Sequence, residues 1–409
     1  MQVEETKFIK LQCIVCGKSY PPDTHSTCTA CGGVLSAEYL LDCAIDLRRK
    51  RSMWQFREYL PPIEVSNIVS MEEGWTPIIR AENYARKIGL SSGSLLCKME
   101  GQNPSGSFKD RAASLSVSLA RQWKKPGIFL ASSGNAAAAT AAYCARGGVQ
   151  CLILFRDDST LSKLSQIAMY GPYLVRVKDL FKNPDSVLRA LQLTQEALPD
   201  WMNGFIWAKY NPLILDALKT IAYEIVASGS EPGYVFVPTA GGDLLFGLYK
   251  GFRELKTLGQ IKEIPKMVVV QGSYPSPTVD AVEGKIEGDA QSEFTLAGAL
   301  RSDMISDHAI VAIKDSKGFG IKVSNNAILE AHNLVAKTDG IFCEVSSATA
   351  FAAISKSIRN GRIQKDETVC SIVTGNGFKD FYPPFNDISQ IPLAASPEYM
   401  KSVLAKMFS

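Results

Sequence analysis

The chain has 409 residues, more than one ordinary domain holds and enough for two with large cores. Hydrophobic residues make up 46% and charged residues 21%, and the formal net charge is only +3, which implies a globular protein with no general attraction for nucleic acid or anionic membrane. The opening "MQVEETKFIK" lacks the apolar core of a signal peptide, and no apolar run reaches the roughly 20 residues that span a bilayer, so a cytoplasmic enzyme is expected.

The first element is a pair of knuckles, "CIVCG" and "CTACGG", carrying Cys13, Cys16, Cys28 and Cys31. A C-x-x-C followed by glycine lets backbone amides turn around thiolate sulfurs, and four thiolates satisfy a tetrahedral zinc ion. The expectation is a zinc-knuckle-like extension over residues 1–45. The alternatives are a ribbon that stands without metal, or disulfide pairs, which a reducing cytosol disfavours. His25 is a further ligand type nearby, although the four cysteines already suffice. A closed four-thiolate site leaves no open position for catalysis. Zinc ribbons can also bind DNA, but this one carries few basic residues, so a structural role and no nucleic-acid partner are expected. The other six of the ten cysteines sit in apolar company such as "GVQCLILF" and read as small buried hydrophobes.

Next comes "AEYLLDCAIDLRRKRSMWQFREYLPP", which reads as a helical, basic and aromatic connector ending at Pro61-Pro62, with Trp54 and Phe56 in its core. Beyond it strands alternate with helices. "GIFLASS" reads as a buried strand, "GNAAAATAAYCARGG" as a helix with a glycine stop, and "VQCLILF" as the next strand. "RVKDLFKNPDSVLRALQLTQEAL" reads as a strand end plus an amphipathic helix. "YVFVPTA" leads into the helix "GGDLLFGLYKGFREL", "KMVVVQGS" is another strand, and "ETVCSIVTGNG" is a strand entering a glycine turn. Continuous β-branched runs imply strands covered on both faces, hence α/β architecture with doubly wound parallel sheets. Ligands in such sheets sit at the carboxyl ends of the strands.

The turns at those ends have unusual chemistry. In "ASSGNAAAAT", Ser132, Ser133 and Asn135 surround Gly134 at a helix start, either as a carboxylate-sized anion site or as ordinary N-capping by Ser133. In "PTAGGDLLFG", Gly241 and Gly242 open a helix directly after a strand, a phosphate cradle or a plain tight turn. It is neither a Walker loop nor a G-x-G-x-x-G fingerprint, and Asp243 is tolerable beside a phosphate only if its side chain points away or caps the helix. In "VTGNGFKD", Thr374 offers a neutral hydroxyl at a strand end. "NPSGSFKDRAAS" places Lys109 behind a turn and ahead of an alanine-rich helix, a setting that a surface lysine does not need. An amine, a phosphate cradle, a carboxylate loop and a strand-end hydroxyl are the parts of a pyridoxal-phosphate site.

From the knuckle to about Asp380, the chain resembles the threonine synthase branch of the fold-type II pyridoxal-phosphate enzymes. The resemblance rests on "NPSGSFKDR", "SSGNAAAATAAYCARGG", "EEGWTPI", "NPLILDALKTIAYEI" and "TGNGFKD" in the family's order. It implies Lys109 as the Schiff-base lysine and proton shuttle, with Phe108 packed beneath the site. It implies Asn135 on the cofactor 3-hydroxyl, and Ser132, Ser133 and Asn135 around the substrate carboxylate. The amides of Ala240, Gly241, Gly242, Asp243 and Leu244 would hold the cofactor phosphate. Thr374 would face the pyridine nitrogen, leaving the ring mostly unprotonated. Thr76 and Lys219 would lie at the substrate. A homodimer acting on a small amino acid is implied as well, with residues 46–126 and 211–409 forming the large domain and 127–210 a smaller mobile one.

The chain also departs from the pattern. Family members often read Asn-Pro-Tyr-Arg-x-Glu-Gly-Gln-Lys-Thr, where this chain has Ile214 for the arginine and Asp216, Ala217 and Leu218 for Glu-Gly-Gln. Trp75 replaces a small or polar residue, Ala240 stands where asparagine is frequent, and "CEVSSATA" lacks the proline after glutamate. Together these imply a more apolar and less cationic substrate region. One reading is therefore threonine synthase, which eliminates phosphate from O-phosphohomoserine and adds water at Cβ, with Arg111, Lys98 or Arg156 replacing the arginine. The other is a related enzyme eliminating or replacing a group on a different amino acid. A binding protein built on a dead enzyme would lack Lys109 or the cradle glycines, and both are present.

Overall fold

Apolar runs such as "MVVV" and "VFV" have no polar face to show to water, so they form strands covered on both sides. The computed structural model, which describes residues 7–21, 27–48, 51–91, 93–159, 161–284, 293–380 and 399–408, sets them inside parallel sheets. In chain order the strands are Phe8–Cys13 (β1), Ser19–Tyr20 (β2), Leu35–Tyr39 (β3), Ile78–Arg80 (β4) and Leu95–Lys98 (β5). Gly127–Ala131 (β6), Gln150–Arg156 (β7), Tyr173–Val177 (β8) and Met202–Asn203 (β9) follow, then Tyr234–Pro238 (β10), Lys266–Gly272 (β11), Phe319–Val323 (β12) and Val369–Ile372 (β13). The helices are Glu82–Ile88 (α1), Lys109–Gln122 (α2), Asn135–Gly147 (α3), Leu161–Met169 (α4), Pro184–Ala197 (α5) and Ile214–Ala227 (α6). They continue as Asp243–Thr257 (α7), Pro277–Glu283 (α8), Asp307–Asp315 (α9), Asn325–Asp339 (α10), Val345–Arg359 (α11) and Met400–Phe408 (α12). Among the described residues, no helix is long and apolar enough to cross a membrane.

The largest sheet has the order β12-β11-β10-β13-β5-β4 and is parallel except for β4. The second, order β8-β7-β6-β9, is parallel throughout, and its strands all lie between residues 127 and 203. Strand β13, last in sequence, lies between β10 and β5. The chain leaving β5 toward Lys109, the turn after β10 and Thr374 after β13 therefore emerge side by side. This carboxyl edge is where a doubly wound sheet binds its ligand.

The N-terminal sheet, order β2-β1-β3, is antiparallel. The connector is helical only at its end. Leu35–Tyr39 is a strand paired with β1, and a 3-10 helix begins at Met53. Leu35, Ala37 and Tyr39 alternate with Ser36 and Glu38 and enter the core, while Lys250 and Arg253 of α7 bond Ala37 O and Glu38. Trp54 and Phe56 are core residues, as expected.

Buried ion pairs lock the elements. Arg111 donates from Nε to Glu100 Oε2 at 2.8 Å, and from Nη2 to Glu100 Oε1 at 2.7 Å and Glu224 Oε2 at 2.7 Å. Its Nη1 reaches Glu224 Oε1 at 2.5 Å and Thr220 Oγ1 at 2.9 Å, and Lys98 Nζ donates to Glu224 Oε2 at 2.6 Å. All four charged side chains are buried. Burial pushes the Glu100 carboxyl up, but Arg111 and Lys98 beside it outweigh this and hold it at about 2. Since that value lies below the unfolded carboxyl's ordinary range near 4.3, the stabilisation is complete above about pH 4 and fades as pH falls toward 2. Glu100→Gln should cost about 3–5 kcal/mol in urea denaturation at pH 7. The gap from wild type should narrow as the pH is lowered through this window, and an unchanged gap would refute the assignment.

Candidate functional site

The loop between β5 and α2 is held by side chains at each step. Asn103 accepts the Gly74 amide with Oδ1 at 3.0 Å and donates with Nδ2 to Glu100 Oε2 at 2.9 Å. Asp110, in the first turn of α2, takes the Ser105 amide at 2.6 Å and also the Ser105 hydroxyl. Burial raises its carboxyl to about 6, against the lowering effect of the Ser105 hydrogen bonds. The Phe108 amide donates to Thr374 O at 3.0 Å, and Gly101 N to Val373 O at 3.0 Å. The loop is thus sewn to the exit of β13, and Lys109 becomes the first residue of α2.

Lys109 is half-buried, and its Nζ has no hydrogen-bond or ion-pair partner among the described residues; it lies 4.7 Å from the Phe108 ring centroid. Burial lowers its pKa below the ordinary lysine value, although the Asp243 and Glu344 carboxylates pull the other way. An unpaired amine of this kind is a nucleophile waiting for a carbonyl.

Two bare helix starts border it. Helix α3 is capped by Gly134 with no side-chain cap bond. Ser133 does not cap the helix; its Oγ accepts the Arg156 amide at 3.2 Å and the Ser159 hydroxyl at 2.9 Å. The Gly134 amide donates to Ser132 Oγ at 3.2 Å. Helix α7 starts after Ala240, Gly241 and Gly242, and Gly242 has φ +86° and again no side-chain cap. A Cβ at Gly242 would lie 2.6 Å from Ser306 Cβ, so only glycine fits this turn. Asp243 turns its carboxylate aside: Oδ1 accepts the Ala208 amide at 3.0 Å and lies 3.1 Å from His308 Nε2. Leu244 follows in the first turn of α7. The exposed amides and the space kept clear by glycine fit a phosphate group, and the free amine fits its aldehyde.

Glu344 and Ser347 join the site although sequence reasoning passed over them. Glu344 Oε2 accepts Asn135 Nδ2 at 2.8 Å and Oε1 accepts Thr374 Oγ1 at 2.7 Å, while Ser347 Oγ lies 2.8 Å from Thr374 Oγ1. Burial raises the Glu344 carboxyl. As sequence, "CEVSSATA" stands out only for its absent proline. Lys379 is another omission: Nζ donates to Gln166 Oε1 at 2.5 Å, and Gly106 leaves room for its Cε.

Other expected residues are placed elsewhere. Lys219 is not at the cleft; it is fully buried, 3.1 Å from Glu254 Oε1, 3.2 Å from Asp216 Oδ1 and 3.7 Å from the Tyr39 ring centroid. A lysine inside a helix buried on every side must find acids, which is why it cannot serve a substrate. Arg111 and Lys98 are committed to Glu100 and Glu224 for the same reason. Thr76 spends its hydroxyl on Glu100 Oε1 at 2.7 Å. Arg156 is part-exposed and paired with Asp158 at the rim. Ile214 packs with Ala112, Ile206 and Ala136, an apolar plug between α2 and the start of α3.

The four knuckle cysteines converge as well. All four sulfurs lie within 4.8 Å of one another, with Cys13–Cys31 and Cys16–Cys28 at 3.5 Å. Gly17 N bonds Cys13 O and Gly32 N bonds Cys28 O, closing two equivalent turns. Every cysteine is a free thiol. His25 lies outside the described residues.

A family model described as pyridoxal-phosphate dependent enzyme matches residues 69–375. The chain is 34% identical over 383 residues to a threonine synthase of Methanocaldococcus jannaschii, covering 90% of this chain and 92% of that protein. It is 31% identical over 347 residues to a threonine synthase of Mycobacterium bovis, covering 84% and 92%. Among solved structures, a threonine deaminase from T.th. superposes with TM-score 0.62 at 26% identity, covering 76% of this chain and 94% of that one. Serine racemase from Dictyostelium discoideum gives TM-score 0.61 at 23% identity, covering 75% and 94%, a likeness of fold alone.

A lowered pKa keeps more of the Lys109 amine neutral at a given pH than an exposed lysine. Incubation with pyridoxal phosphate at pH 7 followed by borohydride reduction should therefore tag Lys109 before any other lysine by peptide mass mapping. Lys109→Ala should abolish that tag, and preferential labelling of an exposed lysine would contradict the geometry.

Proposed function

The chain belongs to the pyridoxal-phosphate dependent enzyme family, and from that membership we propose a threonine synthase, a carbon–oxygen lyase that turns O-phosphohomoserine into threonine and phosphate. The observation that carries the reading is the unpaired Lys109 amine set beside two bare helix N-termini. When bound, the cofactor supplies an aldehyde for the substrate amine and a conjugated ring that takes up the electron pair released at Cα. The amides of Ala240, Gly241, Gly242, Asp243 and Leu244 would hold its phosphate. Asn135 and Thr374 would orient the ring, with Glu344 fixing both side chains. Ser132, Ser133 and the start of α3 would bind the substrate carboxylate. Lys109 would move protons at substrate Cα and Cβ. Closure of the 127–210 segment would exclude water that is not the nucleophile. We assign the active form to a cytoplasmic homodimer on the family resemblance.

The leaving phosphate asks for a cation, and Ile214 cannot provide it. Lys379 and Arg156 remain. Among the described residues Lys379 hydrogen-bonds a neutral amide and lies beside the Ser105–Gly106 turn, and Arg156 adjoins Ser133. The apolar packing of Ile214 favours a second reading, elimination or replacement on an amino acid without a phosphate. The two readings separate on purified protein. Threonine and phosphate should appear in equal amounts from O-phosphohomoserine. Lys109→Ala should lower kcat by at least on the order of 10²–10⁴, and Lys379→Ala should raise KM about tenfold or more. Turnover of serine or threonine with none of O-phosphohomoserine would establish the second reading.

We also propose that the cysteine cluster holds structural zinc. A tetrahedral zinc with Zn–S near 2.3 Å spaces its sulfurs roughly 3.8 Å apart, close to the separations found. Metal analysis should give one zinc per chain, lost in Cys13→Ser/Cys16→Ser together with thermal stability. A zinc-free protein of full stability would refute the assignment.

A further inference from the structure

We infer that Ser306 and Trp207 are additional ligands of the cofactor phosphate, completing a pocket made by two helix N-termini rather than one. The inference rests on the pyridoxal-phosphate reading above and adds residues that the glycine turn alone does not reveal.

Both side chains carry a polar hydrogen that has lost water and found nothing. Ser306 is 1% exposed and Trp207 6% exposed, and neither Ser306 Oγ nor Trp207 Nε1 has a hydrogen-bond partner among the described residues. An unmet buried donor costs about 1–3 kcal/mol, and native interiors rarely leave one. The two orphans flank the cradle. A Cβ built on Gly242 would lie 2.8 Å from Ser306 Oγ, and one built on Gly241 would lie 3.6 Å from Trp207 Nε1. An indole N–H can only donate, so what fills the space must bring an acceptor. Ser306 is also the N-cap residue of α9, yet its hydroxyl makes no capping bond to its own helix. The hydroxyl is left free next to the start of α7, and the positive ends of α7 and α9 meet at the Gly242–Ser306 contact. Lys209, whose Nζ lies 5.2 Å from the Trp207 ring centroid and makes no ion pair among the described residues, adds positive charge beside that ring. The acid nearest the cradle, Asp243, already has Oδ1 engaged by the Ala208 amide and His308. Two orphan donors and two helix starts around one glycine turn describe a dianion pocket, which suits a phosphate monoester.

Ser306→Ala and Trp207→Phe remove one donor each and keep the shape. Cofactor-free protein is titrated with pyridoxal phosphate, with pyridoxal and with inorganic phosphate, following tryptophan fluorescence and equilibrium dialysis. Each variant should weaken pyridoxal phosphate and inorganic phosphate about tenfold while pyridoxal binding stays unchanged. Affinities for pyridoxal phosphate within about twofold of wild type would overturn the inference, as would equal losses for pyridoxal and pyridoxal phosphate. Should Trp207→Phe fail to fold, Ser306→Ala decides alone. A wild-type protein that binds no pyridoxal phosphate would sink the functional reading instead. In that case, retention of inorganic phosphate through Ser306 would still uphold the anion pocket.

Discussion

Two residues beyond Lys109, the Arg111 guanidinium lies in a dry interior between Glu100 and Glu224, with Lys98 completing the charge balance. Each ion costs several kcal/mol to bring there, and the cluster is tolerable only because nearly every donor and acceptor is met. What it supplies is position. Glu100 also binds Thr76 and Asn103, Asn103 binds the Gly74 amide, and Arg111 itself belongs to the first turn of α2. Shifting any one of these elements would leave a buried charge unpaired. The amine of Lys109 is therefore aimed by a lattice of charges buried behind it.

That rigidity is needed because the site is assembled from ends. Thr374 follows β13, the glycine cradle follows β10, Lys109 begins α2, Asn135 begins α3 and Glu344 caps α11. None is a neighbour of another in sequence. Glu344 ties two of them, reaching Asn135 and Thr374 with its separate oxygens. With Thr374 donating its one hydrogen to Glu344, Ser347 Oγ donates to Thr374, and one lone pair is left for the ring nitrogen proposed to face it. The protonation of the ring would then depend on the Glu344–Thr374–Ser347 chain and not on the neutral character of Thr374 alone.

The readable parts of the sequence are those where local chemistry and global role coincide. Continuous β-branched runs point to both parallel sheets, paired C-x-x-C turns to the cysteine cluster, and glycine after a strand to the α7 start. Lys109 stands out because its surroundings suit no surface lysine. Hidden parts are those whose meaning comes from a distant partner. Glu344 and Ser347 look like an ordinary helix start until Thr374 and Asn135 are set beside them. Ser306 looks like a plain N-cap. Strand β3 overlaps the start of a connector that reads as helix, and its five residues are too short a run for the alternation of Leu35, Ala37 and Tyr39 to stand out. Lys219 sits where a family motif suggests a substrate contact, but its acids, Asp216 and Glu254, lie on the same helix and the next.

Helix α6 also changes how the departures from the family pattern are weighed. It is buried from Ile214 through Ile225, so charges on it must be paired within the protein. Asp216 binds Lys250 at 2.5 Å, and Lys250 holds Ala37 O of β3, so this acid docks the cysteine-bearing sheet. Ala217 and Leu218 are fully buried, with Leu218 against Gly247 of α7, where a Cβ would lie 2.6 Å away. Trp75, half-buried, stacks on Phe56 at 5.9 Å against the core. These changes concern packing of the N-terminal sheet and of helix on helix. Val345, standing where the family has proline, is likewise a buried first residue of α11. Two departures lie at the elements that carry the site: Ile214, between α2 and α3, and Ala240, in the turn before α7. The apparent drift of the whole substrate region toward apolar character therefore reduces to two side chains, of which only Ile214 stands in place of a cation. A single lost cation can be replaced by a lysine arriving from another segment, and Lys379, beside the loop of Lys109 and hydrogen-bonded among the described residues to an amide, has the charge to do so.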